Sequence, residues 1–388
     1  MELKKKLKMP HGNVQDIKYL YIVINGLKQK GGRVEISNKT LEYFKKALNS
    51  YNEAKAAKYR LSFKPREVNL EFVKHILAEL QNLNLIHKEK SHIMLSEEGE
   101  KVASLIENKK TEELKKMFTK LMLETFTIFE YFLKRVKEIS NGKGIPIPFI
   151  TSNVFDVCNG ELKKIVDNYT KIIKNYSNLV INSSKLYNLL ESEKVELIEK
   201  KTDKINKLKA IFEKFVVSEA FYPEIKSRRV YDFVRSRTTF LGLTNYANFT
   251  FDNFPAEVVY LISDFESNSF KYSTKEIDYQ GGKIYIHSPK FEEIKEALKE
   301  AMSKVYIEKK DEFGYVRIAD MRDLVCRELK ISDDLFDNYV KRLYQEEPHW
   351  LSFTYSGASE KITEKRLPII FEKPMREFFT LIKLNLRR

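Results

Sequence analysis

Glu257, Asp264, Asp278 and Lys283 are the residues closest in type and spacing to a hydrolytic centre. Three carboxylates could hold a divalent cation, and a lysine could stabilise the charge that builds on a phosphate during cleavage. The four fall within 227–287, so a metal-dependent nuclease in that segment is one reading. With 32% of residues charged, such a set also arises by composition alone, and it stands as an alternative. Other chemistry is poorly provided for. The six histidines do not fall at metal spacing; His87 and His92 are five apart and lack a third ligand. Cys158 and Cys326 lie far apart, which excludes a disulfide framework and a paired-cysteine zinc site. Neither GxxxxGK[ST] nor a GxGxxG after a strand occurs, and only 13 glycines are present. No cofactor or metal is expected, and a binding protein is expected rather than an enzyme.

The cations point to phosphate. The formal net charge is +14, and residues 1–66 hold sixteen Lys/Arg against five acidic residues, a net +11. A coding bias toward lysine would spread the charge evenly. Charge gathered in one sixth of the chain attracts a polyanion. A second cluster runs from Lys226 to Arg237. If helical, it places Arg228 and Arg235 on one face with Tyr231 between them, and adds Arg229 and Arg237. Arginine beside an aromatic ring suits backbone contact or stacking on single strands. A salt-bridged surface helix is the alternative.

The elements that would carry these cations follow from periodicity. Ile17, Leu20, Tyr21, Ile24 and Leu27 have the 3, 4 spacing of an amphipathic helix over 14–28, stopped by Gly31-Gly32. A short strand is expected at 33–36. A second helix follows over 39–48, with Leu41, Phe44 and Leu48 inward. Residues 51–66 read as an extended connection or a short extra helix. A third helix spans 67–82, with Val68, Phe72, Ile76 and Leu80 inward. Two short strands follow around the polar loop 87–91. This order, and the string LQNLNLIHKEKSHIMLSEEGEKVASL at 80–105, resembles the winged helix-turn-helix superfamily over residues 10–108. The longer 51–66 segment departs from its usual link. The last hundred residues resemble it again. Helices are expected over 291–305 and 319–329, and a tight turn at 331–334 leads into a third helix ending near 345. A short strand is expected over 314–318, and two strands, 350–355 and 367–371, around the loop 356–366.

The resemblance implies a third helix in the major groove and a wing on phosphate. In the first module the implied DNA contacts are Lys64, Arg66, Asn69, Lys74 and His75 near the helix, and Lys88, Lys90 and His92 on the wing. Asn69 would reach a base edge. In the second module Asn338, Lys341 and Arg342 are available, but Asp333, Asp334 and Asp337 lie at the helix start. That module is as suited to a protein partner as to DNA.

Between the modules, 109–139 reads as helical, and Gly142 to Pro148 as a boundary. From 160 to 216, Leu162, Ile165, Tyr169, Ile172, Tyr176 and Leu179 follow heptad spacing. An internal bundle is favoured, and an oligomer through these helices is the alternative. Residues 227–287 read as mixed α and β, with a buried strand at 257–262 and a hairpin around Gln280-Gly281-Gly282.

The expected fold is mainly α with small β wings, two winged-helix modules flanking a helical and mixed α/β middle. The expected domains are 1–110, 111–225, 226–288 and 289–388. No apolar run approaches the roughly 20 residues that cross a bilayer, and no signal-peptide core follows the basic start, so no membrane contact and a cytoplasmic location are expected. The implied function is that of a prokaryotic DNA-binding protein with duplex DNA as partner. It would be the recognition or adaptor component of a DNA-transaction, regulatory or anti-phage defence system. A protein-binding scaffold is the rival class.

Overall fold

A computed structural model describes residues 9–10, 14–59, 67–355, 367–371 and 377–386. Two compact units divide the chain, Met1–Thr127 with Phe265–Arg388, and Ile128–Asp264. The protein is mainly helical with small antiparallel sheets.

The first unit opens with α1 (Lys18–Gln29), β1 (Arg33–Glu35), α2 (Asn38–Tyr59), α3 (Leu70–Asn82), β2 (Ile86–Glu89), β3 (His92–Leu95), α4 (Glu97–Glu107) and α5 (Thr111–Thr125). Leu20, Val23, Ile24 and Leu27 recur every three or four residues and are fully buried, so α1 is held by its apolar stripe. Each such side chain contributes about 1.5–3 kcal/mol on burial. Gly31 and Gly32 end the helix in left-handed conformations, φ 81° and 76°. The strands pair in the order β1-β3-β2, with Val34 opposite Ile93 and Ile86 opposite Leu95. Ser96 caps α4 by accepting from the Gly99 amide at 2.9 Å. Gly99 packs so closely that an added Cβ would lie 2.0 Å from the Leu85 carbonyl oxygen. The expected connection at 51–66 is different in its first half: α2 runs on to Tyr59. Strong helix formers in Asn52–Lys58 (Glu, Ala, Lys) extend it.

The second unit contains α6 (Thr127–Ile139), β4 (Ile145–Pro148), α7 (Ser152–Val157), α8 (Leu162–Tyr176), α9 (Ser183–Ser192), α10 (Lys201–Phe221), α11 (Arg228–Phe240), β5 (Thr244–Phe251), β6 (Phe254–Leu261) and β7 (Ser263–Asp264). β4, β6 and β5 form one sheet in that order. The stretch 142–148, expected as a boundary, instead contains β4, which pairs with β6, Ile147 opposite Glu257. The expected border at 225/226 therefore falls inside one sheet-forming unit. The heptad reading of 160–216 also changes. In α8 the buried residues are Leu162, Ile165, Val166, Tyr169 and Ile173, not Ile172. A straight helix drifts off a 3.5 repeat, and α8 packs on β4 and α9 within its own unit. The stripe that an oligomeric coil would use is buried there.

The chain then completes the first unit with β8 (Thr274–Tyr279), β9 (Gly282–His287), α12 (Phe291–Lys309), β10 (Val316–Arg317), α13 (Ile318–Leu329), α14 (Asp333–Glu346), β11 (Leu351–Thr354), β12 (Ile369–Phe371), β13 (Glu377–Phe379) and β14 (Leu381–Leu384). β8 and β9 form the expected hairpin, Ile277 opposite Ile284. The final pairing differs from expectation. Leu351–Thr354 pairs with Leu381–Leu384, not with 367–371, and the sheet order is β10-β14-β11. Ile382 and Leu384 alternate inward, as a half-buried strand requires. Ile369–Phe371 pairs instead with Glu377–Phe379. Phe353, Phe371, Phe379 and Tyr344 form one aromatic cluster, with ring centroids 5.2–5.6 Å apart where they pair. Among the described residues no helix is long and apolar enough to cross a membrane.

Candidate nucleic-acid interface

The hairpin β2–β3 is polar on most of its surface. Lys88 and Lys90 are exposed and have no ion-pair partner among the described residues. Lys90 turns the chain in the left-handed conformation, φ 50°. His92 is half-buried, its Nδ1 3.3 Å from the Ser91 hydroxyl. The register sets two rows across the sheet: Arg33, Met94 and His87, then Glu35, His92 and Glu89. The first row is cationic at one end, while the second brings two carboxylates beside His92. Arg33 is exposed and has no partner among the described residues. Lys39 and Lys46, two helical turns apart on α2, share a side, are exposed and are likewise without partners.

The third helix is less cationic than expected. Asn69, exposed, commits its side-chain oxygen to the helix. Its Oδ1 accepts from the Phe72 amide at 2.8 Å and caps α3, because an orphan amide at a helix start takes the nearest acceptor. Lys74 and His75 both face Glu71, at 3.2 and 3.7 Å. Lys45 lies between Glu42 and Glu67, at 3.6 and 3.9 Å. Lys64 and Arg66 lie outside the described residues. The unneutralised cations therefore sit on α2, β1 and the hairpin. Arg33, Lys39 and Lys46 were not among the sequence candidates; the seven-residue spacing of the two lysines was the available signal.

The helix α14 carries opposite charge. Ser332 caps it. Arg322, fully buried, donates to both Asp337 oxygens at 2.8 and 3.0 Å and to the Leu367 carbonyl at 3.0 Å. Lys115 of α5 pairs with Asp334 at 3.1 Å. Burial and then the charge of Asp334 push the Tyr59 hydroxyl above its ordinary pKa. Arg342 is tied to Glu292 and Glu346 and lies 4.5 Å over the Phe291 ring. Asn338 is exposed and Lys341 half-buried, and neither has a partner among the described residues.

The arginine cluster of α11 is not a surface for nucleic acid. Arg237 is fully buried. Arg235 donates to Glu257 at 2.8 Å, pairs with Asp232 at 3.3 Å and stacks 4.0 Å over the Tyr246 ring. Arg228 pairs with Asp232 at 3.0 Å and Glu257 at 3.7 Å. The Tyr231 hydroxyl donates to Glu257 at 2.7 Å. Burial works most strongly against the charge of Arg235, and Glu257, Tyr246, Tyr231 and Asp232 together more than restore it. The i, i+7 spacing is real, but the face it makes turns toward a buried carboxylate. Of the four, Arg229 alone is exposed.

The same network removes the support for a nuclease centre. Glu257 already accepts from Tyr231 and Arg235. Asp264 pairs with Lys137 at 2.7 Å, and Asp278 with Lys283 at 3.4 Å. Among the described residues no group of three or more His, Cys, Asp or Glu could hold a metal ion. Comparison with protein families, with curated proteins and with solved structures finds no match for this chain.

Proposed function

We propose that residues 14–107 form a winged helix-turn-helix module and that the protein binds duplex DNA through it. The supporting order is helix, strand, helix, helix, two-stranded hairpin, with the first strand pairing on the second strand of that hairpin, which becomes the central strand of the sheet. The observation that carries the reading is the hairpin itself, which lifts Lys88 and Lys90 into solvent with no partner among the described residues. A cation without a protein partner keeps its full attraction for phosphate and loses no ion pair on binding. Arg33, Lys39 and Lys46 widen the same charge, and balanced α3 leaves sequence selectivity weak. The contact is chiefly to the backbone, which positions a protein on DNA without reading it.

The second module repeats the topology in α12–α14 and the sheet β10-β14-β11. Its acidic helix start favours a role in holding the protein together or in holding a protein partner. This combination suits the recognition or adaptor component of a larger DNA-processing assembly. The test is fluorescence anisotropy of the full chain with a labelled duplex over a range of salt. Binding that weakens steeply with salt is expected. Binding that is absent at low salt overturns the reading and leaves the scaffold.

A further inference from the structure

We propose that the second unit carries a stacking platform for single-stranded nucleic acid, at the end of α8 and the β5–β6 hairpin. This goes beyond the duplex contact proposed above and rests on a different unit.

Three aromatic rings meet there, all half-buried, so each keeps part of its surface in solvent. Tyr176, the last residue of α8, lies 4.5 Å from Phe251 in an edge-on arrangement. Phe251 and Phe249 are stacked at 6.0 Å, interplanar angle 28°. The strand alternation explains this: Phe249 and Phe251 are two apart on β5 and share a face. Phe249 leans on the small core of Ala247, Tyr260 and Ile262. The row is therefore supported from below and remains open at its end.

One lysine lies against the rings, and two more stand on the same end of α8. Lys143 holds its ammonium 5.8 Å from the Tyr176 centroid. It sits between Gly142 and Gly144, both at positive φ, which turns the chain tightly at that point. Lys171 and Lys174 are exposed on the last turns of α8 and have no partner among the described residues. Across 141–144, 169–176 and 245–254 there are these three lysines and one carboxylate, Asp252 at the hairpin turn. An aromatic row with mostly positive flanks matches one ligand chemistry: bases that stack on rings, joined by phosphates that meet lysines. A duplex has its base faces covered and cannot use the rings. An acidic peptide would use the lysines but leave the rings without a flat partner.

The test uses the full chain and a labelled oligothymidine of about 16 nucleotides. Expected is salt-dependent binding that Tyr176→Ala weakens roughly tenfold and Tyr176→Phe leaves nearly unchanged. Lys174→Ala lowers the log–log salt slope by about 0.7. The Tyr176→Trp protein reports stacking directly, by quenching of its added fluorescence when the oligonucleotide binds. The proposal is overturned if no oligothymidine binds. It is equally overturned if binding is indifferent to Tyr176→Ala and Lys174→Ala, or if Tyr176→Ala changes the oligomeric state in place of binding. Loss of duplex binding in a Lys88→Ala/Lys90→Ala protein that still holds oligothymidine would support the platform as a site separate from the duplex contact. Duplex binding without oligothymidine binding sinks this proposal alone.

Discussion

Replacing Lys88 and Lys90 together by alanine is the sharpest perturbation of the duplex contact. Both side chains are exposed and unpartnered among the described residues, so their removal breaks no ion pair and opens no cavity. The melting temperature is expected to hold within the range of neutral surface changes, about 0.5 kcal/mol. Binding is a different matter. Each lysine on a phosphate releases a counterion and contributes about 0.9 to the slope of log affinity against log salt. Removing two lowers the slope by about 1.8. Between 1 M and 0.1 M salt, a tenfold span, the two contacts together amount to about a sixtyfold difference in affinity, or about 2.4 kcal/mol. Anisotropy titrations at four or more salt concentrations give the slope without knowledge of the preferred sequence. Lys74→Ala is the comparison, because Lys74 already faces Glu71; its effect should be clearly smaller. A double variant whose slope equals the parent's would refute the reasoning, whatever the absolute affinity.

Three other outcomes follow from the packing. Glu257→Gln leaves the half-buried Arg235 and Arg228 with Asp232 as their remaining carboxylate; the cost is about 3 kcal/mol, a fall of roughly 10 °C in the melting of the second unit by calorimetry. Gly99→Ala would set a Cβ against the Leu85 carbonyl, so it should lower stability by several kcal/mol in denaturant titrations and weaken duplex binding with it. His287 is buried, stacked at 4.7 Å on Phe270, and its Nδ1–H donates to the Lys330 carbonyl at 2.9 Å. Burial holds its imidazole below the usual 6.5, against a weaker opposing pull from Lys330 and Glu293. As pH falls through 6.5 the unfolded chain takes the proton first, so the stability His287 gives is full above that pH and is lost below it. Melting scans from about pH 8 to pH 5 should show a drop that His287→Phe flattens; equal pH slopes in both proteins would contradict this.

The helices were legible where one apolar stripe faces one core. Leu20, Ile24 and Leu27 of α1 and Leu298, Met302 and Val305 of α12 are buried as their spacing implies. The stripe failed in α8, where β4 and α9 pack on it and bury Val166 and Ile173 instead of Ile172. Strands were legible beside a turn or as short apolar runs, such as 257–262 in β6, but their partners were not always. β8 and β9 flank Gln280-Gly281 and were found. β4 was not, because two prolines mark it as a break; it lies at the edge of its sheet, where a residue without an amide proton is tolerated. β14 was missed because its partner β11 lies thirty residues away, beyond the next hairpin. Charge was the least legible feature. Net +11 in residues 1–66 is a sum, and it does not say which lysines lack partners. Lys45 and Lys46 are neighbours in sequence, yet one lies between two glutamates and the other is unpaired among the described residues.

The two modules of the first unit share a sheet order, and besides the β12–β13 hairpin inserted in the second they differ in the charge at the start of the third helix. A helix N-terminus carries a partial positive charge that phosphate or carboxylate can satisfy. At α14 the chain supplies its own carboxylates. Asp337 is neutralised by buried Arg322, and Asp334 reaches Lys115 of α5. A duplex approaching that end would have to displace Lys115 and would meet the acids it leaves behind. At α3 the first turn holds a single acid, Glu71, shared by Lys74 and His75, and the free cations stand beyond it on α2 and the hairpin. The same sheet order can therefore serve opposite ends. Under the proposed duplex binding, the sign of charge at the helix start is what would turn one module toward a polyanion and the other toward its own chain, with α5 supplying Lys115 to the second. Its Glu112 pairs with Lys275 and its Glu124 accepts from the Gln280 amide, so the helix that holds Asp334 is itself held by the β8–β9 hairpin.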